Sequence, residues 1–366
     1  MKVLVNQHTD PGNGPFHATM RIQPTLRIEL FDVRSRLRTE LGEPFTRYPK
    51  TFYISDHTTA GYLDQRLAEV LDHNAHNIQD YLQVFQKLFP PAAGYIHDKL
   101  HLRTELSNRK RATEPLNGDS HLTFMGGGLS NCASYDLSGD EPVWFVELDG
   151  VHAGGTRTRR TTVIGYRQEE VVRQLQVQVE ASPHPIDAQN LRDPRLGFIA
   201  QLDRLVREHR VSFGRLDVSL PAGEHEAGLT VNEYETLLMT HDLREVLQNP
   251  IHFMARMAKS ALQAPLAVPA KALNYAQYDA VQLFNEIMDR AGIRRSQVAR
   301  LINRALAVPV SRFLCMKRGI SLPILDRRDE GIGEIGWGTY QSPILVQWGG
   351  AARATRAIDV TLVRFL

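Results

Sequence analysis

The chain has 366 residues, of which 42% are hydrophobic and 23% are charged. This composition is typical of a folded globular protein and excludes a wholly disordered or fibrous chain. The length exceeds one ordinary compact core and fits two domains. A formal net charge of +2 gives no general attraction to nucleic acid or anionic membrane, so either partner would need a local basic patch.

The N-terminal sequence, the hydropathy and the two cysteines together predict a cytoplasmic protein. The N-terminus turns polar after a few apolar residues, and no stretch approaches the roughly 18 to 20 apolar residues that span a bilayer. We therefore expect no membrane contact. Cys132 and Cys315 do not occupy matching places in the two halves, so they predict small buried residues rather than a disulfide framework.

The first half alternates strands with helices. Apolar spacing predicts a strand, a helix, a second strand and a long broken helix, over residues 25–30, 31–41, 51–55 and 63–89. Gly42 ends the first helix, and Pro90 ends the second. Between the second strand and the long helix lies the segment 56–61, with the sequence Asp-His-Thr-Thr-Ala-Gly.

The second half repeats this order of elements. A strand, a helix and another strand are predicted over residues 174–180, 197–209 and 215–220, and the last strand leads into residues 224–229. No long flexible linker separates the halves, so we expect them to pack together.

Residue matches support a tandem duplication whose second copy has lost its reactive side chains. Residues 120–122 and 128–130 reappear as 311–313 and 319–321, and the strand 143–150 reappears as 342–350. In these matches Arg312 replaces His121, Gln347 replaces Glu147, and Gly349 replaces Asp149. We therefore predict an intact domain over residues 1–170 and a degenerate copy over 171–366.

Three histidines of the first half are candidate metal ligands. His57 follows a strand, His97 is joined to a carboxylate at Asp98, and His121 lies beside polar residues. Imidazoles brought together by a fold can bind a divalent metal such as zinc and leave a position open for substrate. Each histidine taken alone also fits a helix cap or an exposed turn. The three histidines are also widely spaced in the chain, so the sequence is only a weak signal of a shared metal site.

Residues 25–166 resemble the YjbQ-like family, whose members are linked to a secondary thiamine-phosphate synthase activity. The family's His-Thr-Thr/Ser-Ala, Tyr-x-His-Asp and Asn-x-x-x-His-Leu steps are similar to residues 57–60, 95–98 and 117–122. Its Glu-x-Asp-Gly-Pro-Arg step is similar to residues 147–152. The resemblance implies an α+β fold, here two tandem antiparallel sheet sandwiches with flanking helices, and assembly into homo-oligomers, commonly trimers. It also implies a phosphorylated or heteroaromatic small-molecule substrate.

The sequence departs from this family at two points. Val151 and His152 replace the Pro-Arg step and remove a cation that could meet a phosphate, although Arg157 or Arg159 could substitute. The Leu-Thr-x-Asn-Glu and Gly-x-Trp-Gln steps are preserved better in the second half, over residues 229–233 and 338–341. A composite site that uses residues of both halves is therefore an alternative to a site confined to the first half.

Together these observations predict an enzyme, either a transferase or a metal-assisted lyase or hydrolase, with its site residues in the following roles. The proposed metal ligands are His57, His97 and His121. Proton transfer or support of a histidine is predicted for Asp98, Glu147 and Asp149. Substrate contacts are predicted for Thr58, Thr59, Ser120 and Arg157, with contributions from Glu233 and Gln341 of the second half.

Two rival functions remain open. Loss of reactive groups in the second half is also typical of a noncatalytic ligand-binding or assembly protein. Residues 287–319 are similar to a helix-turn-helix module with several arginines, although the turn is too long, which makes DNA binding the less favoured alternative.

Overall fold

A computed structural model describes residues 6–8, 14–104, 106–136, 139–152, 155–184, 186–248, 316–328, 330–349 and 354–366. These residues form antiparallel sheets and helices, which is the predicted α+β fold. They belong to two compact units. Unit 1 contains residues 1–67, 129–234 and 317–366, and unit 2 contains residues 68–128 and 235–316. Both units draw on both halves of the chain, and the boundary at 170/171 stays a prediction about the repeat in the sequence.

The strands of the first half form two sheets and a short hairpin. They are β1 (Asn6–His8), β2 (Phe16–Ile22), β3 (Glu29–Asp32), β4 (Lys50–Ser55), β5 (Ala60–Tyr62), β6 (Cys132–Asp136), β7 (Trp144–Glu147), β8 (Val151–His152), β9 (Gly155–Thr156) and β10 (Arg159–Tyr166). One sheet has the order β1-β2-β10-β4-β6, and the other has the order β3-β7-β5. β8 and β9 pair with each other.

The strands of the second half form a matching pair of sheets. They are β11 (Glu169–Glu180), β12 (Asp187–Asn190), β13 (Gly214–Ser219), β14 (Ala227–Glu233), β15 (Gly319–Leu325), β16 (Glu334–Ile335), β17 (Gln341–Gln347) and β18 (Thr355–Phe365). Their sheets have the orders β11-β18-β13-β15-β16 and β12-β17-β14.

The duplication is visible in the order of the strands. The series β2-β10-β4-β6 of the first half corresponds to β11-β18-β13-β15 of the second, and β3-β7-β5 corresponds to β12-β17-β14. Register agrees with order, because Glu147 lies opposite Ala60 and Gln347 lies opposite Ala227. An amide therefore stands in the second copy where the first has a carboxylate.

Eight α-helices are described. They are α1 (Val33–Leu41), α2 (Glu43–Thr46), α3 (Gln65–Val70), α4 (Ala75–Leu88), α5 (Asn108–Arg111), α6 (Gly118–Gly126), α7 (Phe198–Glu208) and α8 (Leu243–Gln248). α1 begins where Asp32 accepts a hydrogen bond from the Ser35 amide, and it ends at Gly42, whose φ of 58° is one that glycine adopts readily. No helix in the described ranges is long and apolar enough to cross a membrane.

Unit 1 has a core cluster to which both halves contribute. Phe52 and Tyr166 of the first half pack with Phe365 of the second, and the Tyr166 and Phe365 rings stack with centroids 4.0 Å apart. The other buried members are Ile54, Cys132, Ile164, Leu325 and Val363. Cys132 is free and buried. Burial of this shared apolar surface ties the two sets of sheets in unit 1 together.

Unit 2 is helical in its described part. α4 and α6 approach closely at Gly126, where an added Cβ would lie 2.9 Å from the Phe89 ring. The Tyr81 hydroxyl donates a hydrogen bond to the Gly127 carbonyl oxygen at 3.2 Å. A π-helical turn, Leu238–Asp242, leads directly into α8. This turn places residues of the second half beside the segment 95–98 of the first.

Candidate functional site

The His57 loop of unit 1 is fixed by backbone contacts. It connects β4 to β5, and the Ser55 hydroxyl donates to the Ala60 carbonyl oxygen at 2.6 Å while accepting from the His57 amide at 3.2 Å. The Arg160 amide donates to Nε2 of His57 at 2.7 Å. Because Nε2 accepts, the hydrogen-bond pattern assigns the ring proton to Nδ1.

The surroundings of His57 keep its ring neutral. Burial lowers its pKa, and the positive charges of Arg159, Arg160 and Arg157 lower it further, to about 3. A neutral imidazole is the form that binds metals, but here the Nε2 lone pair is already used by the protein backbone. Only Nδ1, after loss of its proton, is left as a ligand atom.

The carboxylates of the first half are held in salt bridges within unit 1. Arg159 donates through Nη2 to Glu147 Oε1 at 2.7 Å and to the Thr59 hydroxyl at 3.0 Å, and its Nε donates to the other Glu147 oxygen. Burial raises the pKa of Glu147, while Arg159 acts in the opposite direction. Arg157 donates through Nη2 to Asp149 Oδ2 at 2.6 Å. Arg159 therefore links the buried Thr59 and Glu147, and the half-buried Arg157 pairs with the buried Asp149. Thr58 lies half-buried in the adjoining loop.

Gln341 holds this loop from the second half. At the start of β17, its side-chain amide donates to the carbonyl oxygens of Ser55 and His57, each at 2.8 Å, and its own oxygen accepts from the Gly338 amide at 2.9 Å. A side chain at Gly338 would collide with the Asp56 carbonyl oxygen. Glu233 lies opposite Gln341 at the end of β14. The side chain of Gln341 thus contacts the backbone of the His57 loop.

His97 of unit 2 is held on its backbone and on its ring. Its amide donates to Asp242 Oδ2 at 2.8 Å, and the preceding Ile96 amide donates to Asp242 Oδ1 at 2.9 Å. The ring Nδ1 lies 3.0 Å from Asp98 Oδ1, which also accepts from the Gly118 amide at 2.9 Å. A carboxylate that accepts from Nδ1 fixes the tautomer and the orientation of the ring.

His121 lies beside His97. It belongs to the first turns of α6, together with the buried Ser120, and its ring centroid is 5.2 Å from that of His97, with the ring planes 55° apart. Both imidazoles are fully buried. Two of the three predicted metal ligands are therefore neighbours within one unit.

The contact with Asp98 makes Nε2 the accepting nitrogen of the His97 ring. Since Asp98 accepts from Nδ1, the neutral ring has no proton on Nε2. Nη1 of Arg103 donates a long hydrogen bond to this atom at 3.4 Å, and Arg103, only 2% exposed, also lies 3.8 Å from Glu114. Oδ2 of Asp98 is buried, and no described residue donates to it. The group combines a basic nitrogen, a second imidazole, a guanidinium and a carboxylate oxygen with unused accepting capacity.

The structure thus divides the predicted site residues into two described groups. Unit 1 brings together Thr59, Glu147, Asp149 and Arg157. In the same unit the Arg160 amide binds the His57 ring, and the Gln341 side chain binds the His57 carbonyl oxygen. Unit 2 joins His97, Asp98 and His121. A site that uses all three histidines stays a prediction.

Sequence reasoning missed three polar residues of these groups. Arg159, considered only as a substitute cation, is the main partner of Glu147. Arg103 and Asp242 flank His97, yet neither belongs to the motif that drew attention to it. The Asp242 signal, an acidic residue at the end of a polar Thr-His-Asp run, gives no hint of its distant partner.

Most of the segment similar to a helix-turn-helix, residues 287–319, lies outside the described residues. Two of its basic residues are described. Lys317 donates to the Ser130 hydroxyl at 2.5 Å and lies 3.7 Å from Asp64, while Arg318 donates to the carbonyl oxygens of Leu220, Pro221 and Glu224. Both charges serve contacts within unit 1.

Comparison with known proteins gives similarities to solved structures. No family model and no curated protein matches the chain. A YbjQ-like protein of unknown function from Sulfolobus solfataricus P2 is 16% identical, over 54% of this chain and 99% of that chain, with a TM-score of 0.29. A hypothetical protein from Aeropyrum pernix K1 is 15% identical, over 52% of this chain and 98% of that chain, with a TM-score of 0.28.

A third structure is described as an uncharacterized conserved protein of the yjbq/upf0047 family from Clostridium acetobutylicum. It is 14% identical, over 51% of this chain and 98% of that chain, with a TM-score of 0.24. The description of the Sulfolobus protein prints a YbjQ-like name and that of the Clostridium protein a yjbq/upf0047 name, whereas that of the Aeropyrum protein names no family. None of them names a substrate, a metal or a nucleic acid, so function has to be argued from this chain's own residues.

Proposed function

We propose that the chain is a small-molecule enzyme of the YjbQ-like class whose site is centred on His97 and His121. The observation that carries this proposal is the buried imidazole pair, with centroids 5.2 Å apart and with Nδ1 of His97 held by Asp98 at 3.0 Å. Two fully buried imidazoles contribute less to stability than apolar side chains of the same volume would, so a chemical role explains their presence better than packing does.

The residues present fit a divalent metal such as zinc. His97 Nε2 and a ring nitrogen of His121 would be the ligands, and Asp98 is the carboxylate that commonly orients a ligating histidine. A bound metal would supply Lewis-acid polarisation of a substrate oxygen. His57 is left out of this ligand set because its Nε2 accepts at 2.7 Å from the Arg160 backbone amide, whereas Nε2 of His97 accepts the longer contact of 3.4 Å from the Arg103 side chain, which a metal would displace.

The groups around the pair support a proposal for the class of substrate. The Arg103 guanidinium, 3.4 Å from His97 Nε2, is a group that binds phosphate through directed hydrogen bonds. The buried Oδ2 of Asp98, to which no described residue donates, can accept a proton from a substrate bound there. We therefore propose a phosphorylated or heteroaromatic small substrate, and a reaction of the transferase or metal-assisted lyase or hydrolase type.

Metal titration of the purified protein tests this proposal. Calorimetric titration with zinc is expected to show a saturable site in the wild type that is lost in His97→Gln and in His121→Gln. The matched control is His76→Gln, because His76 is an exposed histidine of α4, also in unit 2, whose ring lies 3.5 Å from Asp80. Equal zinc binding by all four proteins would contradict the proposed site.

A turnover assay separates the enzyme from its noncatalytic alternative. A panel of phosphorylated heteroaromatic compounds is incubated with the zinc-loaded wild type, and product is followed by mass spectrometry. Turnover that disappears in His121→Gln supports catalysis. Binding of a panel member without turnover would instead support the ligand-binding alternative at the same residues.

A further inference from the structure

The second half supplies a buried carboxylate to the backbone of His97. Asp242 ends the π-helical turn Leu238–Asp242 and is fully buried. Its two oxygens accept separately, Oδ1 from the Ile96 amide at 2.9 Å and Oδ2 from the His97 amide at 2.8 Å. Burial raises the pKa of Asp242, whereas the two backbone donors act in the opposite direction.

We propose that Asp242 is the positioning residue of His97, through which the degenerate half of the chain takes part in the candidate site. This inference rests on the proposed function only for its consequence, the loss of metal affinity. The positioning itself concerns the ring of His97 in the metal-free protein.

The geometry explains why two contacts are effective. Consecutive amides bound to one carboxylate fix the orientation of the peptide between Ile96 and His97, and hence the direction in which the His97 Cα–Cβ bond leaves the backbone. The next residue is Asp98, whose carboxylate meets the His97 ring at 3.0 Å. A shift of this peptide would therefore move the imidazole and the carboxylate that fixes its tautomer at the same time.

A carboxylate that lies three residues before this turn, Glu235, provides a matched control. Glu235 is also buried, and its oxygens accept from the amides of Leu237 at 2.9 Å and Leu238 at 2.7 Å. It thus binds two backbone amides as Asp242 does, but within its own segment. A purely structural role would make Glu235→Gln and Asp242→Asn alike.

The experiment measures the His97 tautomer by NMR in metal-free protein labelled with 15N-histidine. The wild type is expected to show one dominant Nδ1–H form. In Asp242→Asn one amide donor faces an NH2 group instead of an oxygen, so we expect a mixture of tautomers, with zinc affinity about 10–100-fold weaker. Glu235→Gln is expected to leave the tautomer unchanged.

A second variant guards against misfolding. Asp242→Glu keeps the charge and both oxygens but displaces them by one methylene, so it is expected to shift the His97 tautomer even if Asp242→Asn does not fold. An unchanged tautomer in the folded Asp242 variants, or an equal change in Glu235→Gln, would overturn the proposal. If the tautomer responds but the wild type binds no zinc, the positioning stands and the proposed metal function fails.

Discussion

His57 shows at the scale of one residue how the fold determines the chemistry that a motif can perform. The His-Thr-Thr-Ala motif suggests an available imidazole, but the ring accepts the Arg160 amide at 2.7 Å and three arginines lie near it. The imidazole of His57 is therefore neutral in the folded protein. The ring contributes to stability through a hydrogen bond that protonation would break.

This predicts a stability change with pH that depends on His57. The folded-state pKa of about 3 lies below the ordinary histidine value of 6.5, so the unfolded chain takes up a proton first as the pH falls. The contribution is fully present above pH 6.5 and is lost progressively as the pH falls towards 3. At pH 5 the loss should be at most about 2 kcal/mol.

The measurement is the free energy of unfolding in denaturant at pH 7 and pH 5. His57→Gln keeps an acceptor for the Arg160 amide and removes the titrating group, so the variant should lose less stability than the wild type between these pH values. His76→Gln, which changes an exposed histidine, should behave like the wild type. An identical pH dependence in all three proteins would contradict the assigned state of His57.

Strand β17 has a glutamine at each end, and the side chain of each one binds carbonyl oxygens of a neighbouring loop. Gln341 donates to the carbonyl oxygens of Ser55 and His57. Gln347, at the other end, donates to those of Ser182 and His184. Repetition of one contact at both ends indicates that the strand fixes the loops that leave the sheets on either side of it.

Removal of one glutamine should therefore loosen one loop. Gln341→Leu leaves the buried carbonyl oxygens of Ser55 and His57 without this donor and is expected to lower the free energy of unfolding by about 2–3 kcal/mol. Hydrogen exchange at the His57 amide should accelerate. Gln178→Leu, on the exposed face of β11, should cost less than about 0.5 kcal/mol, and comparable costs for the two variants would argue against the role of Gln341.

The sequence predicts helices and strands better than it predicts contacts between distant residues. Period-2 and helical spacing predicted β4, β13 and α7, and the end of α1 at Gly42, because these signals are local. β10 was not predicted, since its mainly buried residues show no clear alternation. The charge partners of Glu147 and Asp149 could not be predicted either, because opposite charges far apart in the chain meet only after folding.

The whole molecule carries the duplication in its sheets. The same strand order occurs twice, and in unit 1 the aromatic rings of Phe52, Tyr166 and Phe365 join the two copies in one core cluster.

The candidate site could be predicted from the sequence only in its local part. The adjacency of His97 and Asp98 could be used from the sequence, whereas the contribution of Asp242 could not, because about 145 residues separate it from His97.

A shared core predicts that a substitution in one copy weakens the other. Phe365→Ala removes a ring that is 2% exposed and should cost about 3–5 kcal/mol. Native-state hydrogen exchange should show loss of protection in β4 of the first half as well as in β13 of the second. Val171→Ala, at a side chain that is 58% exposed, should leave both unchanged. Loss of protection confined to β13 would indicate two independent cores.

Anomalous diffraction at the zinc edge, from crystals grown with zinc, tests most directly whether the His97–His121 pair is the functional centre. The account predicts an anomalous peak about 2.0–2.1 Å from Nε2 of His97 and from a ring nitrogen of His121. The peak should be absent from His121→Gln crystals and present in those of His76→Gln. A fully occupied zinc bound elsewhere, with no peak at this pair, would contradict the account.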